Sequence, residues 1–143
     1  MIGGGILPMA KALKGQCLCG SVVFSLKEKF SQFYLCHCIQ CQKITGSAHA
    51  SNLFTEPDNI NWLSGEALIT RYDDPTRSFT KVFCAKCGSG LPFITQSGRN
   101  LVVPAGSLDE QPEIVPLYNI FCEEQVVWYN DALKAQSVKG FPE

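Results

Sequence analysis

After Gly15 the apolar positions fall in short runs rich in Val, Ile, Phe, Tyr and Thr, the pattern of short β-strands. Eight runs read as strands: SVVFSL (21–26), FYLC (33–36), AHASNLF (48–54), ALITRY (67–72), FTKVFC (79–84), LPFIT (91–95), NLVVPAG (100–106) and LYNIFC (117–122). Breakers separate them, among them Glu56-Pro57-Asp58-Asn59, Ser64-Gly65, Asp73-Asp74-Pro75, Ser97-Gly98 and Gln111-Pro112. This spacing predicts a mainly β fold of short antiparallel sheets rather than a parallel α/β sheet. Only two stretches read as helical, the segment after Cys41 up to Gly46 and VVWYNDALKA (126–135). Residues 1–13, Gly-rich and broken by Pro8, read as a loosely ordered lead-in, with a first short strand as the alternative. A single domain is expected over 14–143.

A chain of 143 residues is long enough to bury roughly 68–70% of its unfolded surface. Apolar content of 45% and charged content of 17% are ordinary for a soluble globular protein. The formal net charge is −1, and lysines and arginines are scattered. Phosphate backbones demand concentrated positive charge, so nucleic acid is a disfavoured partner. No run approaches the ~18–20 apolar residues of a membrane span, and the start lacks the basic and apolar regions of a secretory signal. A reducing, cytoplasmic setting is expected.

That setting changes how the eight cysteines read. Reducing conditions disfavour disulfides and favour metal ligation. Seven of the eight fall in three tight clusters, Cys17-Leu18-Cys19-Gly20, Cys36-His37-Cys38-Ile39-Gln40-Cys41 and Cys84-Ala85-Lys86-Cys87-Gly88. With Zn–S near 2.3 Å, tetrahedral geometry sets ligand sulfurs about 3.8 Å apart, a separation that a two-residue gap bent into a turn achieves. Gly20 and Gly88 follow cysteine pairs directly, where a positive φ would close such a turn. Seven thiols divide in two ways. Cys17, Cys19, Cys84 and Cys87 can form a four-thiolate site that leaves Cys36, Cys38 and Cys41 as a three-thiolate site. Alternatively, Cys38, Cys41, Cys84 and Cys87 form a zinc ribbon and strand Cys17, Cys19 and Cys36. Spacing does not choose between them, although the first division wastes no cysteine.

The combination G-x-C-x-C-G, C-H-C-x-x-C-x-K and F-C-x-x-C-G resembles the glutathione-dependent formaldehyde-activating enzyme family, which includes a centromere-associated branch. The similarity runs over about residues 14–133. It takes in Thr45-Gly46-Ser47-Ala48, Gly106-Ser107-Leu108-Asp109 and a late pattern of Pro116, Ile120, Phe121 and Trp128. The resemblance implies a zinc-stapled β-tent fold. It also implies the first division, with Cys17, Cys19, Cys84 and Cys87 on a structural zinc and Cys36, Cys38 and Cys41 on a catalytic one, two ions per chain. Family members often carry His where this chain has Asn119, which puts any role of that histidine in doubt here.

Four thiolates close a zinc site, whereas three leave a position for an external ligand. Three soft donors make a weak Lewis acid, so capture of a small thiol is favoured over water activation. A thiol held as thiolate can add to an aldehyde carbon, or the reverse step can cleave a C–S bond. This agrees with the S-hydroxymethylglutathione chemistry that the resemblance implies, a carbon–sulfur lyase activity with glutathione and formaldehyde as reactants. The competing reading is a zinc-stabilised protein-interaction module without catalysis.

Around the triplet the assignments are weaker. His37, between two ligands, points away from the metal in an extended chain and reads as a residue behind the site or at the surface. His49 is a candidate proton carrier or anion partner, against a partly buried strand histidine. Lys43, Arg71, Arg77 and Lys81 are candidate carboxylate partners, against solvated charges. Trp62, Tyr72, Phe54 and Phe93 read as core or pocket wall. Cys122, apart from the clusters, reads as a buried strand cysteine.

Overall fold

The computed structural model describes residues 10–142 and resolves ten short strands and two short helices among them. Three antiparallel strands form the first sheet: β1 (Ala12–Gln16), β2 (Val23–Lys27) and β5 (Asn61–Ser64), in the order β1-β2-β5. A five-stranded sheet runs β10-β3-β4-β9-β8, built from β3 (Gln32–Cys36), β4 (Ala50–Thr55), β8 (Phe93–Ile94), β9 (Leu101–Pro104) and β10 (Tyr118–Ile120). The third is the hairpin of β6 (Ile69–Asp73) and β7 (Thr80–Cys84). Helix α1 spans Ile39–Thr45 and α2 spans Tyr129–Leu133. The fold is mainly β, as the strand pattern predicts.

All eight expected runs contain a strand. ALITRY gives its first two residues to a 3-10 turn over Glu66–Leu68 before β6 begins. One pairing departs from the antiparallel expectation, because β10 lies parallel to β3, Tyr118 beside Tyr34 and Ile120 beside Cys36. Strand β1 was read only as the alternative first short strand of the lead-in, and β5 was not read. Strand β1 alternates exposed and buried positions, and one of its inward residues is Gly15. A Cβ there would lie 2.2 Å from Cζ of Phe24, so the Phe24 ring takes the volume a side chain would need. Strand β5 is four residues between two breakers and is held through Trp62, whose ring meets that of Phe24 edge-on at 5.7 Å. Residues 1–9, most of the expected lead-in, lie outside the described residues, and β1 starts two residues before the expected boundary.

The main core gathers Leu13, Val22, Phe24, Leu53, Leu91, Leu101 and Val103, and Cys17 and Cys84 are buried within the same cluster. Cys36, Cys38 and Cys41 form a separate buried group against Ala50, Phe79 and Ile120. Tyr72, expected in the core or a pocket wall, is 47% exposed instead. It stands on β6, which pairs only with β7, so the two-stranded hairpin leaves one face to solvent.

Candidate metal centres and the adjoining cavity

Two chain reversals build the first centre. Cys17 follows β1 directly, and the Gly20 amide donates to the Cys17 carbonyl at 3.0 Å. Cys84 ends β7, and the Gly88 amide donates to its carbonyl at 2.7 Å. Gly20 and Gly88 close these reversals at φ +77° and +78°, a region costly for any side chain. The four thiols converge so that all sulfurs lie within 4.8 Å of one another. Cys17 Sγ stands 3.5 Å from Cys19 Sγ, which stands 3.9 Å from Cys84 Sγ. These separations bracket the ~3.8 Å of tetrahedral zinc–thiolate geometry. The amide of Val22 donates to Cys17 Sγ at 3.2 Å. Ser89 ties the halves together, its Oγ accepting from the Leu18 amide at 2.9 Å and lying 3.2 Å from Cys87 Sγ. That hydroxyl is the main reason the Cys87 thiol is drawn down to about 5.

The second centre is Cys36, Cys38 and Cys41, again with sulfurs within 4.8 Å. Cys36 ends β3, Cys38 is the residue before α1, and Cys41 sits in the first turn of α1. The Cys41 amide donates to Cys38 Sγ at 3.4 Å, so a cysteine does the helix-capping work usual for Ser or Asp. The proton of Cys41 shared with Cys36 lowers the Cys36 thiol to about 6 against the opposing effect of burial. The same sharing, with burial, pushes Cys41 up. Both donor sets suit a thiophilic divalent ion by element type, number and spacing, four sulfurs closed in one case and three in the other. The geometry separates the cysteines as four plus three. Cys38 and Cys41 do not meet Cys84 and Cys87, so the ribbon arrangement is not formed.

His37 is wholly buried, so the surface placement is corrected and the position behind the ligands holds. Its Nε2 lies 2.8 Å from Asn119 Oδ1. An amide oxygen only accepts, so that nitrogen carries the proton. Its amide donates to the Ile120 carbonyl, and its own carbonyl accepts from Gln42 Nε2 at 2.7 Å. The parallel strand β10 thus clamps the start of the triplet, and Asn119 has its place as the partner of His37. Replacing Asn119 with Ala is expected to cost about 1–3 kcal/mol, the penalty of an orphaned buried donor, read as a lower urea midpoint. An unchanged midpoint would remove Asn119 from the clamp. The ring of His37 packs against those of Tyr129 (4.7 Å) and His49 (5.0 Å). No motif marks Tyr129; only α2 brings it here.

Cys122 is exposed rather than buried. Strand β10 stops at Ile120, Phe121 takes φ +57°, and Cys122 opens a 3-10 turn. The turn carries Glu124 to α1, where its carboxylate accepts from the Ile39 amide at 2.9 Å. The sheet ends there because the chain leaves to cap a helix.

A cavity of about 240 Å³ opens beside Cys41. His49, Phe79, Lys81 and Phe93 line it. Burial pushes His49 down, so it is neutral at pH 7. Phe93 is pocket wall as expected; Phe79 was not foreseen, being one aromatic among nine phenylalanines with no spacing signal. Of the four candidate cations only Lys81 reaches this cavity. Arg71 is paired with Asp73 at 2.9 Å and Arg77 with Asp74 at 3.8 Å, while Lys43 is exposed and lines neither cavity beside the cysteines. Phe54 packs on Tyr34 and Trp62 on the core.

The family model described as glutathione-dependent formaldehyde-activating enzyme matches residues 12–124, which contain both cysteine centres, the α1 segment and β10. This chain belongs to that family. A solved structure of a Rhodobacter sphaeroides protein, a structural-genomics target, is similar in fold, with TM-score 0.57 and 20% identity over 74% of this chain and 98% of that one. No curated protein matches the chain. Within the glutathione-dependent formaldehyde-activating family match, the chain's strands run from β1 to β10; Tyr129 lies beyond its end. Among the described residues no helix is long and apolar enough to cross a membrane.

Proposed function

We propose that the protein is a zinc-dependent carbon–sulfur lyase-type enzyme that forms or cleaves small thiol–aldehyde adducts, with glutathione and formaldehyde as reactants. The observation that carries this reading is the asymmetry of the two centres. Four thiols close on one another in one, whereas the other has three, one short of a closed tetrahedral set, with Cys41 on a cavity wall. In this reading Cys17, Cys19, Cys84 and Cys87 hold a structural zinc, and Cys36, Cys38 and Cys41 hold a catalytic one. Zinc on three thiolates supplies an open coordination position for an external thiol and favours its thiolate form.

The chain's own groups serve the remaining needs. Addition makes the C–S bond, moves the C=O π pair onto oxygen, and requires a proton at that oxygen. His49, neutral and on the cavity wall, is placed to carry the proton that the thiol gives up. Phe79 and Phe93 give the cavity apolar walls, which exclude water and strengthen charge interactions inside. Metal-ligating cysteine clusters are favoured where thiols stay reduced, and the reading includes a cytoplasmic location on that ground.

Metal analysis of the purified protein is expected to give close to two zinc ions per chain. A value near one would overturn the two-site division. Glutathione titrated into the zinc-loaded protein should perturb the coordination of one metal only, followed by X-ray absorption at the zinc edge. No change at millimolar thiol would favour the alternative, a zinc-stabilised interaction module. That alternative has its own support in the exposed apolar side chains of Tyr118, Phe121 and Trp128 near β10.

A further inference from the structure

A second hollow, about 680 Å³, adjoins the cavity beside Cys41 and runs to Cys17 and Cys19. Ile44, Thr45, Lys81, Pro104 and Gly106 line both, so the two form one groove with Lys81 at the seam. Among the described residues Lys81 is the only charged side chain lining the inner hollow. On β7 it alternates with Thr80, Val82 and Cys84, which face the core, so its own side chain faces the groove. It is half-buried, and among the described residues it forms no ion pair. The nearby Cys41 sulfur offsets only part of the cost of half-burying this ammonium, and the cost falls further when a carboxylate is brought to it.

Gly90, which bridges to Phe83 after the turn that follows β7, leaves space for that ammonium. A Cβ on Gly90 would lie 2.6 Å from Lys81 Nζ. Gly90 is not at positive φ, so the absence of a side chain there serves the lysine and not the backbone. The outer hollow offers a second charge, Asp109, but its carboxylate is engaged with Gln16 Nε2 at 3.4 Å.

We infer that Lys81 is the specificity-determining residue of the groove: its ammonium anchors a carboxylate of the incoming thiol while the sulfur lies toward Cys41. The substrate class is then a thiol bearing a carboxylate several bonds from its sulfur, with the rest of the molecule extending into the outer hollow. Neutral thiols fit the inner hollow but gain nothing at the seam. This inference rests on the thiol-binding reading proposed above.

Isothermal titration of the zinc-loaded protein with glutathione and with glutathione diethyl ester tests it. The ester keeps the thiol and removes both carboxylates. Wild-type protein is expected to bind glutathione about ten- to a hundredfold more tightly than the ester, the range for one charge-assisted hydrogen bond. Lys81→Gln should erase that preference by weakening glutathione alone, and Lys81→Arg should restore most of it. Gly90→Ala keeps the charge but displaces the ammonium, a cheap shift at the end of a flexible side chain, and should weaken glutathione in the same way. Equal weakening of both ligands by Lys81→Gln would overturn the assignment, because it would mean that the lysine only offsets the charge of the thiolate centres. A preference that survives Lys81→Gln would overturn it too. If neither thiol binds wild-type protein that holds two zinc ions, the thiol-binding reading itself fails and the anchor falls with it.

Discussion

Cys84→Ala is expected to yield a chain without a cooperative unfolding transition. Cys84 is fully buried in the main core together with Cys17, and its sulfur lies 3.9 Å from that of Cys19, 65 residues away in sequence. Once zinc is bound there, the centre joins the end of the β6–β7 hairpin to the end of β1. Structural zinc contributes about 10–16 kcal/mol to folding in small zinc domains, as much as or more than the roughly 5–15 kcal/mol that a whole domain has in hand. Alanine removes a ligand without adding a polar group to the core, so the loss is attributable to the metal link. Circular dichroism during urea titration reads the outcome, and strong chelation of the wild type should reproduce it. A cooperative transition close to that of the wild type would show that apolar packing alone holds the sheets.

The opposite result is expected at the other centre. Cys41→Ala should leave the fold in place, at a cost of about 1–3 kcal/mol for a truncated buried side chain, and reduce zinc from two ions to one. The reason lies in the packing. Cys36, Cys38 and Cys41 form a satellite group with Ala50, Phe79 and Ile120, outside the main core and reaching the cavity through Cys41. Hydrogen bonds independent of the metal already hold this corner, through His37 to Asn119 and through Glu124 to α1. Glutathione binding and adduct formation should both disappear, followed by calorimetry and by the NMR signal of labelled formaldehyde. If Cys41→Ala unfolds the protein as badly as Cys84→Ala, the triplet is a structural site and the catalytic proposal loses its foundation. The pair of variants therefore separates the two roles by measurements of stability and of ligand binding on the same samples.

Much of the local structure was legible from residue order. Strand runs such as FTKVFC map onto β7 with its inward Thr80, Val82 and Cys84, because side-chain alternation is a property of each strand alone. The turns at Cys17–Gly20 and Cys84–Gly88 were equally legible, since the glycine's positive φ and the gap between ligands are set within five residues. The failures also have local causes. Breakers on both sides hid β5. Cys122 was misplaced because nothing near it announces that the chain turns away to cap α1 through Glu124.

The sequence by itself determined that seven cysteines stand in ligand-like clusters, that the fold around them is built of short, mainly antiparallel strands, and that the family is recognisable from those clusters. Tertiary structure alone decided which clusters meet. Ligand spacing within a turn depends on a few dihedral angles, whereas joining Cys19 to Cys84 depends on how separate sheets pack around Phe24, Leu53 and Val103. The same packing lays β10 beside β3, buries His37 against Asn119, and turns Lys81 toward a groove that no motif announces. Those contacts are long-range, so their information is distributed over the whole core rather than written at any one position.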